Sequence, residues 1–188
     1  MAKKQTVIEV DGKKCAATFL GKGQYSRVYK CSDRAVMYTK GDCAKEVLAM
    51  YMHENNAHLP QLLRHDNITI RPGEYWYVFS SPIYRDVRKA DVSAYKLMNK
   101  IIKCFNELYY KFWTMGYRGT DLMRMFVVGM DECGYFPHSI IKAMNLLVDN
   151  AYNCGYDKVI FDIHKKNFGV NEYGTLIFRD IVAVGESL

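Results

Sequence analysis

The sequence predicts an α+β chain in two lobes, β-rich over residues 1–81 and mainly helical over 82–188. Three observations carry the prediction. Short alternations of apolar and polar residues between tight turn signals fill the opening part. Two long apolar stripes at a spacing of three to four fill much of the rest, and Ser80-Ser81-Pro82 stands where one pattern gives way to the other. A chain of 188 residues can form one sizeable core or two small lobes, and is too short for two independent domains of typical size.

Residues 5–10 and 14–20 read as strands about the hairpin signal Asp11-Gly12, and Arg27 to Cys31 is set off from Ala35 to Tyr38 by Ser32-Asp33-Arg34. Asp42 can cap a helix running to Glu54, with Val47, Met50 and Tyr51 on one face and Asn55-Asn56 at its end. Two further strands follow at 67–71 and, beyond the turn Pro72-Gly73, at 75–79. The lobe expected is a five-stranded antiparallel sheet with one helix.

From Val92 to Met115 the residues Leu97, Ile101, Phe105, Leu108 and Phe112 recur at helical spacing and predict one long amphipathic helix. Thr120-Asp121 can open a short helix through Val128, but Gly116, Gly119, Gly129 and Gly134 make 116–136 read as a broken region. His138 to Asn153 predicts a second helix, with Pro137 near its start, Gly155 after its end, and Ile140, Ile141, Met144, Leu147, Val148 and Ala151 on one face. Val159 to Phe161 and Leu176 to Phe178 read as short strands, the second preceded by the turn Asn171-Glu172-Tyr173-Gly174.

A 49% apolar and 14% aromatic composition is that of a folded protein. The net charge of +6 favours polyanions, nucleotides or acidic surfaces, yet Lys and Arg are scattered without a long run. The six cysteines show no CxxC and no zinc spacing, and Ala2-Lys3-Lys4 leads into strand-like residues rather than a secretory signal. Reduced thiols and a cytoplasmic location are the expectation. No stretch approaches the roughly 18 apolar residues that span a bilayer, so no membrane partner is expected.

Chemistry concentrates in Asp162-Ile-His-Lys-Lys-Asn167, with Asp180 thirteen residues after the Asn. A carboxylate such as Asp162 can orient an acceptor hydroxyl or take its proton. Asn167 and Asp180 offer the hard oxygens that magnesium prefers. The bland alternative makes Asp162 a turn cap and Asp180 a surface acid; the flanking strands and preceding helix favour the chemical reading. A second feature, Leu20-Gly21-Lys22-Gly23-Gln24-Tyr25-Ser26-Arg27-Val28, lies between two predicted strands. Its glycines let backbone approach phosphates, with Ser26 where a third glycine of G-x-G-x-x-G-x-V would stand; otherwise it is a Gly-rich hairpin without ligand.

The two motifs, one per lobe and in this order, resemble the protein kinase superfamily in compact form. The D-x-H-x-x-N loop is similar to that of the aminoglycoside phosphotransferase and atypical kinase branches. Gly21, Gly23, Tyr25-Ser26, Phe161-Asp162, His164, Asn167 and Asp180 resemble most the early Ser/Thr protein kinases of T7-like bacteriophages. The resemblance runs from about residue 18 to 184. It implies a bilobal protein-kinase-like fold with a truncated helical C-lobe, and an ATP- and Mg2+-dependent Ser/Thr kinase in the host cytoplasm acting on host proteins, including the transcription machinery. It further implies Ser80 to Pro82 as hinge, Val28, Ala35 and Ser81 about the nucleotide, Asp162 as base, and Asn167 and Asp180 on the metal.

Departures stand beside the likeness. Kinases hold the α and β phosphates with a lysine on the third strand, paired to a helix glutamate, for which Glu46 is the candidate. A turn centred on Ser32-Asp33 sets residue 37 opposite Val28, so the lysine position holds Met37. Lys40 would reach only through a bulge or an early strand end, while Lys30 shares the parity of Val28; the residues leave both open. No His-Arg precedes Asp162, and Asp180-Ile181-Val182 replaces D-F-G. A pseudokinase that binds and modulates a host protein, or a small-molecule phosphotransferase, are therefore the rival readings. Aromatic and basic residues interleave at Tyr109-Tyr110-Lys111-Phe112-Trp113 and Tyr117-Arg118, but helical periodicity makes Leu108 and Phe112 core, so nucleic acid is not the expected partner.

Overall fold

The computed structural model describes residues 5–22, 26–40, 56–71, 74–153 and 159–184. The architecture is α+β, with a mostly antiparallel sheet and a helical part. The described residues divide into two compact units: residues up to 40 with Gln61–Ile83, and 56–60 with the chain from Tyr84 onward.

The first unit is an antiparallel sheet of six strands, not five. They are β1 (Gln5–Val10), β2 (Lys13–Lys22), β3 (Ser26–Cys31), β4 (Arg34–Thr39), β5 (Leu63–Arg71) and β6 (Glu74–Pro82), in the order β1-β2-β3-β4-β6-β5. All six segments read as strands are present, so the expected total of five is one short, and β1 pairs along its whole length with β2, from Gln5↔Thr18 to Val10↔Lys13. Asp11 and Gly12 both carry positive φ, the type I′ geometry that matches the twist of paired strands. The helix read at 42–54 lies outside the described residues.

One face of this sheet packs Ile8, Ala17, Val36, Tyr38, Trp76 and Val78, with Cys15, Tyr29 and Cys31 at the margin. Each such fully buried large side chain contributes about 1.5–3 kcal/mol. Tyr38 donates its hydroxyl proton to the Glu9 carbonyl at 2.6 Å. Cys15 and Cys31 form a disulfide, against the expectation of reduced thiols. The register pairs Ala17 with Cys31, which leaves Cys15 diagonally across from Cys31 with Cα atoms 6.5 Å apart, inside the span a disulfide bridges.

The second unit contains α1 (Val92–Cys104), a π-helical turn (Phe105–Tyr109), α2 (Tyr110–Thr114), α3 (Gly119–Glu132) and α4 (His138–Asn153). Four short strands follow: β7 (Val159–Phe161), β8 (Phe168–Val170), β9 (Leu176–Phe178) and β10 (Val182–Val184). The predicted single helix from Val92 is continuous to Thr114 but widens to a π turn in its middle. The region read as broken contains the full-length helix α3. Gly129 does not break it: a Cβ there would lie 2.9 Å from Leu108 Cδ1 and 3.2 Å from Phe112 Cε2, so the glycine leaves the space those two side chains fill.

Met123, Phe126 and Met130 of α3 and Ile140, Met144 and Leu147 of α4 are fully buried. Phe126 meets Phe105 at 5.4 Å, Tyr109 at 5.9 Å and Phe161 at 5.7 Å between ring centres. That aromatic cluster anchors β7, the strand that delivers Asp162. No described helix is long and apolar enough to cross a membrane.

Candidate phosphotransfer site

β7 pairs not with the strand next to it in sequence but with β10, Phe161 opposite Val182. The pairing continues one step, because Asp162 N–H donates to the Ile181 carbonyl at 2.8 Å. Buried Phe161 and Ile163 alternate with Asp162 and His164, and this two-residue period turns the polar pair outward. A 3-10 turn at Lys165–Asn167 returns the chain to β8, closed by Asn167 N–H to the His164 carbonyl at 2.9 Å.

Asn167 is the junction of the loop and is buried, at 8% exposure. Its Nδ2 donates to the Asp162 carbonyl at 2.8 Å and to Asp162 Oδ2 at 3.0 Å. With both amide protons so used, Oδ1 is the atom the side chain presents to a cation. Its own carbonyl accepts N–H bonds from Arg179 at 2.8 Å and Asp180 at 3.3 Å. The three residues singled out from sequence are therefore joined: Asp162 through the amide of Asn167, and Asp180 through the Asn167 carbonyl. His164 Nε2 lies 3.4 Å from Asp162 Oδ2, with both side chains about half exposed.

An amide oxygen and a carboxylate are the kind of hard donors magnesium prefers, and the backbone bond from Asp180 N–H to the Asn167 carbonyl makes the two residues neighbours. Among the described residues no group of three or more His, Cys, Asp and Glu side chains could hold a metal ion.

In the first unit the register places the predicted nucleotide residues. Lys30, Ala35 and Ser81 stand side by side on β3, β4 and β6. Val28 is opposite both Gly21 and Met37, on the same face, as the hairpin reading expected. Ser26 pairs with Thr39. Ser81 is buried, its hydroxyl donating to the Pro82 carbonyl at 3.0 Å. A Cβ on Gly21 would meet nothing within 4 Å, so the fold itself does not demand glycine there. Lys40 is the one set apart. Its ammonium stands 5.0 Å from the centre of the Trp76 ring, on the face that packs Val36 and Tyr38 rather than the face of Ala35 and Met37. Gly23 and Glu46 lie outside the described residues.

Two polar arrangements escaped the sequence reading. Asp11 Oδ2 is 2.6 Å from His65 Nδ1, and His65 Nε2 is 2.8 Å from Ser80 Oγ. This is the order of a nucleophile relay, but Ser80 is 2% exposed and its oxygen also accepts from Arg34 Nε at 3.1 Å, which makes the set a strut with its serine end buried. In the second unit His58 bridges the Leu176 carbonyl (2.8 Å) and Ser139 Oγ (3.0 Å), and burial holds its pKa below the usual histidine value. The interleaved aromatic stretch is partly a surface stack: Trp113 lies 5.9 Å from exposed Tyr110, and the Arg118 guanidinium 4.7 Å over the Trp113 ring.

Compared with protein-family models, with curated proteins and with solved structures, the chain matches none.

Proposed function

We propose that the protein is an ATP- and Mg2+-dependent phosphotransferase with a protein-kinase-like bilobal fold, acting on host proteins as the early Ser/Thr kinases of T7-like phages do. The observation that supports this most is the junction at Asn167, which ties the candidate base to the candidate metal ligand through one buried residue. In this reading Asp162 orients the acceptor hydroxyl and receives its proton, helped by an exposed position and by the amide that fixes its carboxylate. Asn167 Oδ1 and Asp180 would hold the metal, whose charge offsets that developing on the transferred phosphoryl group. The Gly21 to Val28 segment would meet the phosphates through its backbone, with Lys30, Ala35 and Ser81 beside it.

Expression in a host cytoplasm, and the transcription machinery as substrate, belong to the same proposal and rest on the resemblance alone. A specific observation favours a second reading: Val28 pairs with Met37, so a methionine occupies the lysine position, as in a pseudokinase that binds nucleotide and modulates a partner without transfer. Labelled-ATP transfer to lysate protein, and to sugars, aminoglycosides and nucleosides, separates these readings when paired with nucleotide thermal shift. Asp180→Ala is expected to abolish transfer while leaving circular dichroism unchanged. Full transfer in that variant would sink the mechanism; a nucleotide-dependent melting shift without transfer in the wild type would install the second reading.

A further inference from the structure

Arg179, the residue before the candidate metal ligand Asp180, makes more oxygen contacts than any role read from the sequence requires. Its Nη2 donates to the Lys166 carbonyl at 2.8 Å and to Asp86 Oδ1 at 2.9 Å, and its Nη1 to the Tyr84 carbonyl at 3.3 Å. Its backbone N–H is on the Asn167 carbonyl at 2.8 Å. One residue thus touches the loop carrying Asp162 and Asn167, the strand end carrying Asp180, and the segment at 84–86.

Two further features show that the fold makes room for this arrangement. A Cβ on Gly169 would lie 2.8 Å from Arg179 Cδ and 2.8 Å from Tyr84 Cβ, so the arginine stem crosses β8 where only a hydrogen fits. Beside it Val170 N–H donates to the Arg85 carbonyl at 2.9 Å, an isolated bridge that fixes the same segment to β8. A planar guanidinium can serve three oxygens in different directions without bending its stem, which the compact ammonium of a lysine on its flexible four-carbon stem does less well.

We infer that Arg179 is a positioning residue that sets Asn167 and Asp180 for the metal, with Gly169 as the gap that admits it. The inference rests on the phosphotransferase reading above. Groups that orient metal ligands without touching the ion typically change metal affinity by about 10- to 100-fold when removed.

The test is a Mn2+ titration of the full chain followed by electron paramagnetic resonance, with a non-hydrolysable ATP analogue present, alongside the Mg2+ dependence of labelled-ATP transfer. Arg179→Met is expected to raise the Mn2+ Kd and the Mg2+ midpoint by about 10-fold or more, with the acceptor KM little changed. Arg179→Lys keeps the aliphatic stem over Gly169 and is expected to fall between, so it carries the test if the methionine variant does not fold. A lowered melting temperature with an unmoved Mn2+ Kd in the folded variants makes Arg179 a packing residue and overturns the inference. If the wild type takes up no Mn2+ with nucleotide, the phosphotransferase reading falls and the inference with it; wild-type uptake with unmoved variants removes the inference alone.

Discussion

Asn167 gives both protons of its side-chain amide to Asp162, one to the backbone carbonyl and one to the carboxylate. The orientation of the amide is therefore set by the acid, and its free oxygen by exclusion. Under the proposed phosphotransferase function Asn167→Ala is expected to lower transfer by at least about 100-fold, since the oxygen offered to the metal and the fix on Asp162 go together. Asn167→Asp puts a second carboxylate against Asp162 Oδ2 and the Asp162 carbonyl, and is expected to melt below the alanine variant at neutral pH. Equal melting of the two variants would contradict the assignment of donor and acceptor.

The strand register divides the two candidate lysines, Lys30 beside Ala35 and Ser81, Lys40 over Trp76 on the other face. In the proposed phosphotransferase a charge-assisted contact from Lys30 to phosphate would be worth about 1.5–3 kcal/mol, so Lys30→Ala is expected to raise the KM for ATP about 10-fold or more. Lys40→Ala is expected to leave it within about twofold, since a lysine directed to the far face contributes no such contact. Adding Met37→Lys to the Lys30 variant is expected to restore the lost affinity, because residue 37 shares that face and stands opposite Val28. Steady-state kinetics with varied ATP decides, and a KM moved by Lys40 alone refutes the register argument.

His58 is held neutral by burial, the Leu176 carbonyl offsetting only part of that effect. A histidine whose folded value lies below its ordinary 6.5 adds stability that is complete above 6.5 and is lost as the pH falls through the lowered value. The wild-type melting temperature is expected to drop between pH 7.5 and 5.5. His58→Gln is expected to start about 2 kcal/mol less stable and to show a shallower drop over the same range. Parallel melting curves across that pH range would remove His58 as the cause.

Burial pushes the Tyr109 phenol up to about 12, and its hydroxyl finds no hydrogen bond of good geometry, with only a partial offset from the Phe161 backbone. Removing a buried and poorly satisfied hydroxyl relieves a desolvation cost of about 1 kcal/mol while the ring keeps its contacts with Phe105 and Phe126. Tyr109→Phe is expected to melt at or above the wild-type temperature in a calorimetric scan. A clear loss would mean the Phe161 contact is a full hydrogen bond.

Local chemistry was the legible part of this chain. The Asp11-Gly12 and Asn171-Gly174 turns, the strands beside them and the Asp162 to Asn167 loop each depend on neighbours within a few positions, so turn residues and side-chain period suffice to find them. What stayed hidden depends on distant partners. β7 joins β10 rather than the nearer β9, His58 finds Ser139 and Leu176, and Cys15 meets Cys31 only once the β2-β3 register exists. Helix α3 was obscured for a different reason: Gly129 has the low helix propensity of any glycine, and the missing side chain is what lets Leu108 and Phe112 lie against it.

The π turn at Phe105–Tyr109 holds one residue more than an α turn would and takes it up locally, in a wider loop of backbone. The α-helical stretches on either side therefore keep nearly the phase of an unbroken helix one residue shorter. Phe112 lies against Gly129 and the stack of Tyr110, Trp113 and Arg118 stays on the surface as if the added residue were absent. The turn is thus a spare link in the helix: a one-codon deletion inside it is expected to leave those contacts in place, whereas the same deletion in the regular turns before it would twist one side against the other by about 100°.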